Sequence, residues 1–177
     1  MKKILALFFA ICLLFSGCGL QIGNTVLFAK HYKTAEKAYM QNPYSDPIQQ
    51  LYLDEIEKEV ACVSLTEEYA LWICVANDGN MVETLMHIDK KGYFYSLGNA
   101  IVSDLSIADE FEALSPTETE WTFKVGSDSL VYSWVYTDSQ YDEVQSKLGE
   151  KYSAIPFETM VNGNMSKFVY VYKYVNK

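Results

Sequence analysis

Between Asn24 and Met40 the apolar residues Phe28, Tyr32, Ala35 and Tyr39 recur at the spacing of a single helical stripe. Asn42 and Pro43 interrupt it. Asp46 followed by Pro47 then has the form of a helix start, and Ile48, Leu51, Tyr52 and Ile56 continue a stripe, so the pattern predicts two N-terminal helices. From Glu59 the period changes to two. Ala61, Val63 and Leu65, then Leu71, Ile73 and Val75, then the runs Met81–Ile88 and Tyr93–Leu97 read as four strands. The turns between them are Thr66-Glu67-Glu68, Asn77-Asp78-Gly79-Asn80 and Asp89-Lys90-Lys91-Gly92, and this spacing predicts an antiparallel meander.

Beyond Asn99 the pattern predicts a short capped helix from Ser106 to Leu114, stopped by Pro116. Trp121, Phe123 and Val125 alternate as a strand, Gly126–Ser129 turns, and Leu130–Thr137 returns. Asp138 opens a second inserted helix carrying Tyr141, Val144 and Leu148. Phe157–Val161 and Asn164–Val175 form a last hairpin around Asn162-Gly163. The expected fold class is α+β: N-terminal helices, then a largely antiparallel sheet of meander and hairpins with two short helices inserted.

The start of the chain obeys none of these periods. Lys2 and Lys3 precede an unbroken apolar run from Ile4 to Phe15, followed by Ser16, Gly17 and Cys18. A basic head, an apolar run shorter than the roughly 20 residues of a membrane-spanning helix, and small residues at its end make a secretory signal peptide. Phe15-Ser16-Gly17-Cys18 resembles the lipobox of bacterial lipoproteins. That resemblance implies a diacylglyceryl thioether on Cys18, which becomes the mature N-terminus anchored outside the cytoplasmic membrane. Two acyl chains suffice for stable anchoring, at about 0.8 kcal/mol per buried CH₂. The chain accordingly divides into a signal peptide (1–17), a lipidated tether (18–23) and one domain (24–177), since nothing Pro-, Ser- or Gly-rich splits the rest.

Charge narrows the choice of partners. The whole chain of 177 residues carries 14 basic side chains, all Lys, against 23 acids, for a net charge of −9. Loss of Lys2 and Lys3 with the signal peptide takes the mature chain to −11. An acidic surface without Arg excludes nucleic acid, whose phosphates and guanines call for cations. It steers the domain toward a basic partner, and it leaves the membrane to be held by lipid on Cys18 alone.

With Cys12 removed and Cys18 lipidated, Cys62 and Cys74 are the candidate disulfide pair of the exported domain. Matching the apolar faces of the first hairpin requires opposing residue numbers to have an even sum. A sum of 136 sets Cys62 opposite Cys74; a sum of 134 sets it opposite Trp72 and prevents the bond.

Both histidines, His31 and His87, lie outside any zinc-protease or nucleophile-elbow pattern, and the glycines form no phosphate loop. No cofactor is implied. The acidic groups Asp54, Glu55, Glu57 and Asp109, Glu110, Glu112 read as solvated helix faces.

Aromatic residues carry the remaining signal. A Gly126–Ser129 turn pairs Phe123 with Tyr132 and Trp121 with Trp134, a cross-strand ladder ending near Tyr136; Tyr170, Tyr172 and Tyr174 share a face of the last strand with Phe168. Two uses compete: the layer beneath the helices, or a face for a ligand or partner, with the Val side of the last strand buried. The expected function is a non-enzymatic envelope lipoprotein that recognises a protein partner, of inhibitor or immunity type. The alternatives are a glycan or small-ligand binder using the aromatic face, and a hydrolase using two carboxylates.

Overall fold

The computed structural model describes residues 20–22, 25–27, 30–41, 56–110, 121–127, 129–148 and 150–176. The elements in chain order are β1 (Leu20–Ile22), β2 (Thr25–Leu27), α1 (Ala35–Met40), β3 (Ile56–Ser64), β4 (Tyr69–Ala76), β5 (Asn80–Ile88) and β6 (Phe94–Asp104). A 3₁₀ turn (Leu105–Glu110) follows, then β7 (Trp121–Val125), β8 (Ser129–Thr137), α2 (Asp138–Leu148), β9 (Ser153–Val161) and β10 (Asn164–Asn176). The chain is β-rich, and among the described residues every strand pairing is antiparallel.

The meander forms as its turns dictate, in the order β3-β4-β5-β6, and a second four-stranded sheet has the order β7-β8-β10-β9. Asn162 and Gly163 hold φ of 51° and 78°, the left-handed pair that a two-residue hairpin between Val161 and Asn164 needs. The two sheets pack face to face. Leu71, Ile73, Val75, Met81 and Leu85 of the first meet Phe123, Val131, Val135, Phe157, Phe168 and Tyr170 of the second in one buried cluster.

Each sheet is covered on its other side as well. Trp72, Cys74, Val82 and Met86 pack under Ala35, Ala38 and Tyr39 of α1. Tyr136, Val169 and Val171 pack under Val144 and Leu148 of α2. The result is four layers, helix on sheet on sheet on helix. Burial on both faces explains why β4 reads as a nearly continuous apolar run, Ala70 to Ala76, in place of an alternation.

The first N-terminal helix is shorter than expected. Among the described residues before β3, helix occurs at Ala35–Met40, capped by Thr34, whose Oγ1 accepts from the Lys37 N–H at 3.3 Å. Upstream, Leu20–Ile22 pairs with Thr25–Leu27, which gives strand at 25–27 where the opening of a helix was expected. Tyr32 bridges Phe94 through two backbone hydrogen bonds of 2.8 and 2.7 Å. The helix expected from Asp46 falls outside the described residues except for Ile56, which begins β3. The helix expected from Ser106 is a 3₁₀ turn as far as Glu110, and the remainder to Leu114 lies outside the described residues. Glu57 belongs to a strand and accepts from Thr159 Oγ1 at 3.4 Å, while Asp54, Glu55 and Glu112 lie outside the described residues.

The disulfide is also corrected. Cys62 stands opposite Trp72, the register of sum 134, and both thiols are free. Irregularities between Ile56 and Lys58 and between Glu59 and Ala61 shift the pairing further, so Cys74 faces Glu59. Cys62 is exposed at the strand surface, where partial desolvation and then the Glu59 carboxylate push its thiol up to about 11; burial pushes the Cys74 thiol up to about 12, so both stay protonated at neutral pH.

Candidate binding site

The expected aromatic face does not form as one surface. A register shift between Trp121 and Phe123 pairs Trp121 with Tyr132 and Phe123 with Val131. Phe123 therefore turns into the core between the sheets, where Tyr170 is also fully buried and Tyr172 and Tyr174 pack against the cluster. The Tyr side of β10 lies inside the sandwich, and Val169 and Val171 on its other side lie under α2. Tyr136 is buried beneath α2. The side chain of Trp121 lies outside what the structure describes.

Tyr132 and Trp134 remain together on the outer side of the second sheet. Trp134 is half-buried beside Tyr136, with ring centroids 6.4 Å apart. Lys173 faces Tyr132 across the β8–β10 pair and lies over two rings, its Nζ 6.0 Å from the centroid of Tyr132 and 5.5 Å from that of Tyr152.

A concave site lies at one end of the sandwich. It is a groove of about 590 Å³ between the start of the 3₁₀ turn, the N-terminal end of α2 and the tip of the β9–β10 hairpin. Leu105, Val161 and Phe168 supply its apolar base, and Ser106, Asn162, Asn164 and Ser166 add hydroxyls and amides. Asp138 and Asp142, one helical turn apart, and Lys167 supply its charges. The volume falls in the range of ligand clefts, while the polar lining suits a hydrophilic occupant.

Local hydrogen bonds fix the walls of this groove. Thr137 and Gln140 form a reciprocal cap at the start of α2: Thr137 N–H donates to Gln140 Oε1 at 2.9 Å and Gln140 N–H to Thr137 Oγ1 at 3.4 Å. The cap is thus Thr137, one residue before the expected Asp138, which leaves the Asp138 carboxylate exposed at the groove. Gln140 Nε2 also donates to the Ala108 carbonyl at 3.0 Å and ties helix to 3₁₀ turn. On the opposite wall, Ser106 donates to Asp104 Oδ1 through both its N–H and its hydroxyl, at 2.8 and 2.6 Å. Exposed apolar side chains lie on the same segments: Ile107 on the turn, Met160 and Met165 opposite each other on the hairpin.

The other end of the first sheet gathers both histidines. Tyr69, His87 and Tyr95 are direct cross-strand neighbours, and His31 stacks on Tyr95 at 4.9 Å while His87 stacks on it at 4.5 Å. His31 Nδ1 meets Asp89 Oδ2 at 2.6 Å. The backbone N–H of Tyr93, then His31, hold the Asp89 carboxyl down to about 2, and burial lowers His87.

One buried group escaped the sequence reading. Glu83 points from β5 into the space between the sheets and is 4% exposed. Ser133 Oγ donates to its Oε2 at 2.9 Å, and the Tyr170 hydroxyl donates to the same oxygen. The signal that marks it is its position two residues from Met81 and two from Leu85, which sets a carboxylate on an apolar strand face.

Among the described residues, no group of three or more His, Cys, Asp or Glu side chains is placed to hold a metal ion, and no helix is long and apolar enough to cross a membrane. No protein-family profile, curated protein or solved structure matches the chain.

Proposed function

We propose that the mature chain is a lipid-anchored envelope protein that acts by binding a protein partner, in the manner of an inhibitor or immunity protein, and not by catalysis. The anchor rests on the signal-like run ending in Phe15-Ser16-Gly17-Cys18. The observation that carries the binding reading is the groove at the end of the sandwich, with Asp138 and Asp142 on its rim and hydrogen-bonding side chains along its walls. On a mature chain of net charge −11, the two carboxylates outweigh the single Lys167 of the groove and favour a basic segment of the partner, which electrostatic steering brings in faster at low salt.

The test is affinity capture from the cell exterior with the mature lipidated protein, run beside the double variant Asp138→Asn, Asp142→Asn. The expected result is stoichiometric capture of a protein with a basic patch, with an association rate that falls as salt rises, and weaker capture by the variant. Equal capture by both forms overturns the assignment of the groove. Turnover of an envelope substrate that a single Asp or Glu substitution abolishes overturns the non-enzymatic reading.

A second reading, glycan binding, is favoured by the Lys173 ammonium between Tyr132 and Tyr152 with half-buried Trp134 on the same face. Saturable change of tryptophan fluorescence on titration with envelope polysaccharide, lost in Trp134→Ala, selects it over the first.

A further inference from the structure

Glu83 sits where β-sandwiches place hydrocarbon. Its neighbours across the first sheet are Ile73 on β4 and Ile101 on β6, and neither brings a charge. The second sheet brings only neutral partners to it: Ser133 on β8 and Tyr170 on β10, with Tyr172 stacked beside Tyr170 at 6.1 Å. The titratable groups facing the carboxyl are therefore these two tyrosines. Burial, then the carboxyl itself, holds the Tyr170 hydroxyl far above its ordinary range, so it remains a donor at any physiological pH. Among the described residues no cation compensates an ionised Glu83, and two hydroxyl donors offset only part of the cost of a buried negative charge.

We propose that Glu83 is a proton-operated fastener between the two sheets: while it carries its proton the sheets close over it, and loss of that proton in neutral to alkaline surroundings loosens the sandwich. The hydrogen bonds to Ser133 and Tyr170 cross from one sheet to the other, so the group that titrates is also a group that joins the layers. Burial, opposed in part by those two hydrogen bonds, pushes the carboxyl up to about 7 from an ordinary 4.5. The sign follows from linkage. The unfolded chain ionises first, so the contribution of Glu83 is fully present below about pH 4.5 and declines as the pH rises toward 7. Between pH 5 and pH 8 the folding equilibrium constant should fall on the order of 50- to 100-fold through this group alone.

The experiment uses the mature protein with ¹³C-labelled glutamate carboxyls, followed by NMR across pH 3 to 10, together with denaturant midpoints of the wild type and Glu83→Gln at pH 5 and pH 8. One carboxyl is expected to titrate near 7 and to disappear in the variant, and the variant's midpoint should gain on that of the wild type as the pH rises. If every glutamate carboxyl titrates below about pH 5.5, or if the two proteins keep a constant difference in midpoint from pH 5 to pH 8, the fastener is overturned. Should Glu83→Gln not fold, the wild-type carboxyl titration alone decides.

Discussion

The indole Nε1–H of Trp72 donates to the Glu59 carboxylate across the first hairpin at 2.6 Å, and it does so from a ring that is wholly buried. The strand edge thus brings a solvent-side carboxylate to the polar tip of the largest side chain beneath α1, where Trp72 also packs on Tyr39 at 5.1 Å. Glu59→Ala leaves that indole donor without this acceptor and should destabilise the domain by about 1–3 kcal/mol. Chemical denaturation followed by Trp72 fluorescence checks it, and Glu59→Gln, which keeps an acceptor, should restore most of the loss.

Two thiols should be recoverable from the mature protein, and both only slowly. Cys62 faces Trp72 and Cys74 is buried beneath α1, each with its thiol held protonated. Thiol reagent at pH 7.5 should label the folded protein far more slowly than free cysteine, with Cys62 ahead of Cys74, and should find two groups after unfolding without reductant. Recovery of no thiol under those conditions would restore the bond.

Acid should act through Asp89. Its carboxyl is held below its ordinary value by the N–H of Tyr93 and by His31, so the stability it contributes is present above about pH 4 and is lost as the pH falls toward 2. Asp89→Asn should flatten that part of the stability profile, read as the midpoint of acid unfolding by circular dichroism. The same variant leaves the Glu83 transition at higher pH in place.

Position in the layers sets the cost of truncation. Leu85, 2% exposed between the sheets, should lose about 2–5 kcal/mol on change to Ala, whereas Met165→Ala, at a site 63% exposed, should stay within about 0.5 kcal/mol. Gly163→Ala, which forces a side chain onto φ of 78° in the β9–β10 turn, should cost about 1 kcal/mol although its Cβ would meet nothing within 4 Å. Thermal melts of the three variants rank them.

Strands and turns were legible because alternation and Asn-Gly or Asp-Gly pairs are local properties. What the chain packs against is not local. The even-sum rule for the first hairpin holds at Cys62 and Trp72, yet parity alone does not choose between two registers, and the irregularities around Glu59 are invisible in composition. One shifted residue between Trp121 and Phe123 sends the two aromatic side chains expected on one face to different registers. The helical stripe expected at Tyr32 gives way to pairing of Tyr32 with Phe94 at the start of β6, a tertiary contact that overrides a weak local preference. The groove assembles residues 105–106, 137–142 and 161–168, and no spacing within the sequence links those three segments.

On the binding reading proposed above, that assembly separates recognition from stability. The four layers hold one another, and the groove's side chains sit on three short segments at their margin, where substitution of an exposed residue leaves the core undisturbed. On that reading, variation selected by a changing partner accumulates at Ser106, Asp138, Asp142 and Asn164, while the strands behind them, and Asn162 with its φ of 51° in the hairpin turn, stay constant.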